Sequence, residues 1–342
     1  MRILGLNLSD ASAELVELSG GLLQRSGWTQ RLRVELSEGL VTNGVIHQVE
    51  ALAAKLEGQF KPGDLVMSIP EGQVYSRWLR FPVSAKLHDI RHTITERASQ
   101  YFPFEAHEIA FDCLSAGSVG DQQDIFCAAV PRAVLDGYRQ LAKALHCNLV
   151  RLELESLSTA RAVLSNLPTA GATLLLDIGA RTTIASWFTH AGLRFTFNMP
   201  LAGQYFTEQV QTSLKVTALE AERLKQKLGF TKQVQPPLEV AFVPILKGLR
   251  EGMSYVQSEW QLETKEVVVL GGSAQLPKLT DYLTQQLQVS AHLPTALPWE
   301  KTYGMVSTSE QEVVYMLNAV GLALGGAKAY RHWPVVNFIN SK

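Results

Sequence analysis

The chain has 342 residues, long enough for two core-bearing lobes at about 150 residues per domain. Apolar residues make up 46% and charged residues 18%, the composition of a globular protein and not of a disordered one. The 31 basic and 32 acidic residues nearly cancel, which leaves no electrostatic footprint for nucleic acid. Cys113, Cys127 and Cys147 are widely spaced and form no Cys-x-x-Cys pair, so small buried thiols in a reducing compartment are expected. The start, a single Arg2 followed by strand-like alternation, is no secretory signal. No apolar run approaches the ~18 residues that a bilayer crossing needs. A soluble chain that reaches a membrane only through a partner is the expectation.

In chain order, residues 2–8 and 13–18 read as a hairpin around Ser9-Asp10-Ala11. Helical spacing runs over 45–56, and Pro62-Gly63-Asp64 marks a turn before a strand at 65–69. A second strand covers 74–81, Pro82 closes it, and a helix over about 84–101 follows until Pro103-Phe104 ends it. Strands at 109–115 and 124–130 and a helix over 132–145 give the block 84–150 its own α and β elements, those of an inserted subdomain. The strand at 174–177 opens the second half. Thr217 and Glu220 form a capping box for a helix that runs to Gly229. A long helix is expected over 244–260, a strand over 266–270 and a helix over 311–324, before an extended tail. Strands and helices alternate in two halves that each begin strand–turn–strand, a duplicated α/β architecture. The expected partition is 1–83 for the first lobe, 84–150 for the insertion and 151–173 for the first lobe again. The second lobe then takes 174–310, the returning helix 311–330 and the tail 331–342.

One stretch carries most of the chemistry. Leu174-Leu175-Leu176 runs as a buried strand up to Asp177, Gly179 turns the chain, and Arg181, Thr182 and Thr183 follow with donors. A carboxylate at a strand end beside a glycine-opened hairpin suits a hydrated Mg²⁺, with backbone N–H groups facing phosphate oxygens. The chain start repeats this grammar with Asn7 in place of the carboxylate and Ser9 in place of the glycine. Val267 to Leu270 runs into Gly271-Gly272-Ser273 and then Pro277; glycines there let the backbone approach a ligand closely, although such a turn alone is more often packing. His88-Asp89-Ile90-Arg91-His92 places two imidazoles at i, i+4, but its acid is Asp and no third ligand is evident, so a surface helix is the better reading. No serine sits in a nucleophile elbow. The aromatic group Tyr101, Phe102, Phe104 and Phe111 reads as core, with Pro103 able to shape a groove beside it.

The order strand–Asp–x–Gly–x–x–Thr, then strand–Gly–Gly–Ser–x–x–x–Pro about 90 residues later, resembles the actin, sugar-kinase and heat-shock chaperone ATPase superfamily. Between the two motifs, Glu220-Ala221-Glu222-Arg223-Leu224-Lys225 resembles the helix whose Glu and Lys contact the nucleoside there; by itself it reads equally as a solvated face with i, i+3 charge pairs. Further matches point to one branch, that of FtsA and PilM. Ser68-Ile69-Pro70, Val74-Tyr75-Ser76-Arg77-Trp78-Leu79-Arg80-Phe81-Pro82, Tyr101-Phe102-Pro103-Phe104 and Glu108-Ile109-Ala110-Phe111-Asp112 are similar to PilM, the cytoplasmic actin-like protein of type IV pilus assembly. Leu4-Gly5-Leu6-Asn7-Leu8-Ser9 and Val16-Glu17-Leu18 match its opening strands. MshI-type pilus proteins and the cytoplasmic part of the secretion protein GspL are close relatives and stand as alternatives.

The resemblance implies an α/β, actin-like (ribonuclease H-like, duplicated) fold of two lobes with an inserted α/β subdomain. It implies ATP with Mg²⁺ held by Asp177 at the metal and by Gly179, Thr182, Gly203, Glu222, Lys225, Gly271, Gly272 and Ser273 around the nucleotide. It implies a PilN-like inner-membrane partner, other pilus assembly proteins, and a cytoplasmic protein recruited to the inner-membrane face. The partner's N-terminal segment, of the type Ile-Asn-Leu-Leu-Pro, would dock between the first lobe and the insertion, near Val74, Tyr75, Arg77, Leu79 and Phe81.

Four positions depart from that family. Asp, Gly and Lys are usual where this chain has Asn7, Ser9 and Glu14, and Glu is usual where it has Gly248. Asn7 is neutral, attracts hydrated Mg²⁺ less and cannot act as a general base. Ser9 restricts a turn that glycine leaves open, and Glu14 puts negative charge where Lys would face phosphate. These changes argue against efficient hydrolysis, whereas binding needs fewer well-placed groups. The expectation is a docking scaffold with a pseudo-ATPase pocket. The competing readings are a true ATP-dependent enzyme of the sugar-kinase or chaperone type and a nucleotide-free platform. In the tail, Val336-Asn337-Phe338-Ile339 resembles the partner segment without its proline. It reads as an imitation of that peptide, as part of a fused partner, or as a strand tucked on the chain's own surface.

Overall fold

The computed structural model describes residues 2–20, 27–294, 297–304, 310–327, 330 and 332–339. They form two compact units, Met1–Ser165 with Leu297–Lys342, and Asn166–Ala296. The expected second lobe, 174–310, therefore runs too far. Trp299 belongs to the first unit because its buried indole donates Nε1 to Ala162 O (3.0 Å) and meets Trp28 edge-on at 5.3 Å.

In the first unit β1 (Arg2–Leu8), β2 (Ser12–Ser19) and β3 (Gly27–Glu35) form an antiparallel meander with Asn7 opposite Glu14. β4 (Val41–Thr42) and β5 (Val45–Ile46) make a short ribbon before α1 (Val49–Leu56). The helix expected over 45–56 is thus shorter, because Gly44 at φ +79° turns Val45 and Ile46 into a strand pair. β6 (Asp64–Ile69) lies parallel to β1.

β7 (Tyr75–Pro82), α2 (Leu87–Glu96), α3 (Ala98–Tyr101), β8 (Ile109–Val119) and β9 (Gln122–Pro131) build a separate three-stranded sheet in the order β7-β9-β8. Its core includes Ile90, Ile94, Ala98, Phe102 and Cys127, so the aromatic group around Pro103 does serve packing. The helix expected over 84–101 breaks at Arg97, whose φ of −124° is not helical. This sheet begins at Tyr75, ahead of the expected boundary at 84.

α4 (Arg132–Ala144) leads to β10 (Asn148–Leu154), which pairs parallel with β6 and becomes the outer strand of the sheet β10-β6-β1-β2-β3. The sequence reading has no strand here, since Arg151 and Glu153 interrupt its apolar residues. The fold buries Glu153 by pairing it with Arg161 of α5 (Glu155–Val163), through Nη1 at 2.6 Å and Nη2 at 2.9 Å. This bidentate geometry is what makes a dry ion pair tolerable.

The second unit repeats the plan. β11 (Ala172–Ile178), β12 (Thr183–Thr189) and β13 (Gly192–Met199) form a meander. α6 (Gly203–Leu214), α7 (Ala218–Leu228) and α8 (Gln235–Trp260) follow, then β14 (Thr264–Leu270), α9 (Leu279–Leu287) and β15 (Ser290–His292). The sheet order is β13-β12-β11-β14-β15, three antiparallel strands and then two parallel ones, as in the first unit. α8 begins well before 244. Pro244 removes one helical hydrogen bond, but it and Val240 lie on the exposed face, where the carbonyl left without a donor is open to solvent.

α10 (Glu300–Tyr303) and α11 (Glu310–Gly325) complete the first unit. α11 lies on β1 and α5 through two glycines. A Cβ on Gly5 would fall 2.6 Å from Ala323 N, and one on Gly321 would fall 2.5 Å from the carbonyl carbon of Ser158. The last turns of α11 are capped by cations, with Arg161 Nη1 donating to Gly321 O (2.8 Å) and Arg151 Nη1 to Gly325 O (2.9 Å). Among the described residues no helix is long and apolar enough to cross a membrane. Gly321→Ala meets backbone and not a flexible side chain, so a stability loss of about 2–3 kcal/mol is expected in urea titration.

Candidate functional site

The hairpin of the second unit is closed by Gly179 N–H donating to Thr182 O (3.0 Å). Asp177 stands half-buried at the end of β11, opposite Ile184 of β12 and Leu270 of β14. Gly271, at φ +82°, passes so close that a Cβ there would lie 2.5 Å from Ile178 O and would overlap the Asp177 carboxylate. Both a positive φ and this close approach require glycine. α6 is docked onto the same turn, with Gly203 N–H donating to Gly179 O (3.1 Å) and Gln204 N–H to Ala180 O (2.8 Å). Ser273 Oγ reaches Gly179 O at 3.4 Å, and the Thr183 hydroxyl donates to Leu201 O at 2.7 Å. Thus Asp177, Gly179, Thr182, Gly203, Gly271 and Ser273 lie around one hairpin, with Gly272 next in the chain.

Glu222 and Lys225 sit differently. The Lys225 ammonium is buried and donates to Gly203 O (2.8 Å), Thr207 Oγ1 (2.9 Å) and Glu222 Oε2 (2.7 Å). All three of its protons are taken, so it works as a strut between α6 and α7. Burial pulls that ammonium down from its ordinary range, and Glu222 opposes the pull. Burial also acts to raise the Glu222 carboxyl, but Lys225 and the Thr207 hydroxyl outweigh it and hold the group below its usual value. At the N-terminus of α7 the Thr217 hydroxyl accepts from Glu220 N (3.3 Å), the first half of the expected capping box. Gly248 lies under β13, where an added Cβ would meet Met199 Sδ at 3.2 Å and Phe197 at 3.4 Å. A carboxylate at that position would have to enter an apolar contact.

The hairpin of the first unit has turned its polar groups on itself. Ser9 Oγ accepts from Ser12 N (3.0 Å) and Ala11 N (3.3 Å), the turn amides that an anion would otherwise meet. Asn7 Nδ2 donates to Glu14 Oε2 (3.1 Å), and Asn7 Oδ1 accepts from Asn318 Nδ2 (3.2 Å) and Ser68 Oγ (3.4 Å). Asn318 Oδ1 in turn accepts from Ser158 Oγ at 2.6 Å. Glu14 is buried and not solvent-facing. Burial raises its carboxyl above the usual range, against hydrogen bonds from Ser12, Arg33 and Asn7. Arg33 Nε pairs with it at 3.3 Å while its guanidinium lies 4.6 Å over the Tyr315 ring.

A second site lies wholly in the first unit; Leu152 escaped the sequence reading, whereas Asp112 and the tail residues 336–339 were in it. As an edge strand β10 presents the backbone of Leu152 outward. Leu152 N–H donates to Asn337 Oδ1 (3.1 Å) and Leu152 O accepts from Phe338 N–H (3.0 Å). Across the groove, Asp112 of β8 accepts from Asn337 N–H through Oδ2 (3.0 Å). Arg91 Nη2 holds the other oxygen of Asp112 at 2.5 Å and also donates to Cys113 O at 3.0 Å. Trp333, Val336 and Phe338 are buried, the last two completely.

The tail is therefore seated at β10 and β8. β7, with the expected groove residues Tyr75, Arg77, Leu79 and Phe81 and with Val74 just before it, is the opposite edge of the three-stranded sheet. There Tyr75 meets Phe104 edge-on at 5.0 Å, Arg77 Nε donates to Tyr101 O (3.2 Å), and Leu79 and Phe81 pack on the local core. Two sequence signals pointed at this groove, the Glu108–Asp112 match and the peptide-like pattern of residues 336–339. His88 and His92, by contrast, are exposed and pair with Asp89 and Glu96.

Two halves built on one strand order, each opening with a hairpin, define an actin-like fold. The family profile of the type IV pilus assembly protein PilM matches residues 5–327, and the chain belongs to that family. A search of curated proteins gave no match. Among solved structures the chain resembles one described as a PilM–PilN type IV pilus biogenesis complex, at 22% identity and TM-score 0.80, covering 95% of this chain and 98% of that one. It is also similar to the ethanolamine utilization protein EutJ of Carboxydothermus hydrogenoformans (17% identity, TM-score 0.55, 95% and 90% covered). A third is MreB5 of Spiroplasma citri bound to AMPPNP (12%, 0.58, 96% and 97%).

Two outcomes follow from the polar networks. Lys225→Met removes three buried hydrogen bonds and should cost about 2–3 kcal/mol, read as a lower urea midpoint. For Glu14 the folded pKa lies above the unfolded one. Its contribution to stability is therefore complete below the ordinary carboxylate range and is lost as pH rises through the raised value. Glu14→Gln should gain on the parent as pH rises from the ordinary carboxylate range through the raised value; a difference that is flat or moves the other way contradicts burial as the dominant force.

Proposed function

We propose that this PilM-family chain is a scaffold of the pilus machinery that captures a short extended segment of an inner-membrane partner. The observation that carries the reading is the edge of β10. Its Leu152 N–H and C=O, with the Asp112 carboxylate opposite, form a set of groups that an extended apolar–Asn–apolar segment satisfies by main chain and one amide. The mode is close to β-strand addition, with one main-chain bond to the edge strand, one side-chain amide in place of the second, and apolar pockets that supply selectivity. An Ile-Asn-Leu-Leu-Pro segment of a PilN-like protein has that chemistry, and likeness to a structure described as a PilM–PilN complex supports the choice. Recruitment to the cytoplasmic face of the inner membrane, alongside other pilus assembly proteins, would follow from the partner.

Nucleotide chemistry is degenerate in this reading. The fit differs between the two hairpins. Asp177, Gly179, Thr182, Gly271 and Gly272 suit a phosphate with its Mg²⁺, whose role would be to neutralise phosphate charge. The hairpin of Asn7 does not suit it, because Ser9 occupies the turn amides and Asn7 is tied to Glu14, Asn318 and Ser68. A working ATPase would need a general base near the γ-phosphate, and a neutral amide held on both sides supplies none.

Calorimetry with Mg²⁺–ATP should show binding that Asp177→Ala removes and no turnover above buffer; rapid hydrolysis would defeat the scaffold reading. With the Asn337 and Phe338 contacts of the chain's own tail removed (Asn337→Ala, Phe338→Ala), adding Asp112→Ala should weaken binding of a PilN-type peptide containing Ile-Asn-Leu-Leu-Pro about tenfold, the size of one lost charge-assisted hydrogen bond.

A further inference from the structure

Residues 333–339 lack regular secondary structure, yet they bury three large side chains and engage both backbone groups of Leu152. Their polar contacts to Leu152 and Asp112 are of a transferable kind. Asn337 supplies one side-chain acceptor and one main-chain donor, and Phe338 supplies one main-chain donor. Asn337 Oδ1 also accepts from Ile339 N–H at 3.3 Å, which holds the segment in the shape the groove needs. Because its polar groups read backbone and a single amide, the groove accepts another segment that carries the same pattern and apolar side chains for its pockets. The end of α11 is fixed independently by Arg151 and Arg161, so the segment can leave without loosening that helix.

We infer that residues 333–339 are an intramolecular ligand of the docking groove, and that a partner segment binds by displacing them. This rests on the docking reading above. The chain would then regulate its own recruitment, since an internal occupant lowers apparent affinity by the fraction of molecules in which the groove is open. Covering β10 also hides a sheet edge that would otherwise recruit other strands. A segment extended enough to pair with β10, apolar at its pockets and carrying Asn at the centre is the class of ligand that competes.

The test uses two labelled peptides, one containing Ile-Asn-Leu-Leu-Pro and one with the sequence of residues 332–339. Both are titrated by fluorescence anisotropy into the full chain and into its Asn337→Ala, Phe338→Ala double variant, with circular dichroism melts to verify folding. Both peptides should bind the double variant at least tenfold more tightly than the parent, and adding Asp112→Ala should erase the gain. A folded double variant that binds neither peptide more tightly overturns the inference. If the Ile-Asn-Leu-Leu-Pro peptide binds parent and variant equally, docking stands and internal occupancy fails. If only the peptide of residues 332–339 binds, and only to the variant, the occupant is right and the docking partner is wrong.

Hydrogen exchange on the unmutated chain needs no variant to fold. Saturating peptide should speed exchange of the Phe338 amide while the Leu152 amide stays protected by the incoming Asn. Unchanged exchange at Phe338 overturns the inference.

Discussion

The outer edge of β10 is the constraint around which the first unit is organised. A strand at the margin of a sheet has backbone donors and acceptors on one side that its neighbour cannot satisfy. Here one side of β10 is paired with β6, while Leu152 on the other side is met by Asn337 and Phe338. The same strand carries Arg151 and Glu153, which reach inward to cap α11 and to pair with Arg161. Seven residues therefore connect the sheet, the closing helix and the groove. The ion pair is tolerated in a dry site because its geometry is bidentate and a helix carbonyl takes a further proton of Arg161.

The two units show one hairpin plan carrying two different sets of polar groups. In the second unit a carboxylate and two glycines leave room beside the turn, and Gly271 can approach Asp177 only because it has no side chain. In the first unit each substituted group found an internal partner. Ser9 took the amides of its own turn, Asn7 joined a chain of amides and hydroxyls, and Glu14 was buried against Arg33. An amide that replaces a carboxylate can both donate and accept, so it can be closed into such a network where a carboxylate would face outward for a cation. The eroded hairpin is a stable polar cluster, well satisfied by hydrogen bonds.

Much of the fold was legible in the chain. The two strand–turn–strand openings, the Gly271-Gly272 turn and most helices follow from periodicity and from glycine and proline placement. The errors have local causes. α8 begins ahead of Pro244 because the proline lies on an exposed face, and β5 displaced the start of a helix because Gly44 adopts a positive φ. β10 was missed because Arg151 and Glu153 break its apolar pattern, and their partners lie in other elements. The residues around Asp177 were legible as a set. The role of Lys225 was not, since only packing shows that its three protons are already held.

By itself, the sequence determined the duplicated α/β plan, the intact and eroded hairpins, and the odd chemistry of the segment around Asn337. These depend on local periodicity, backbone freedom and side-chain type, all written residue by residue. Tertiary structure decided what the eroded hairpin does with its polar groups and where the tail goes. Asn7 meets Asn318 from 311 positions away, and Leu152 meets Asn337 from 185. The groove is defined by main-chain groups of an edge strand, and main-chain groups are the same in every residue, so no pattern of side chains could announce them.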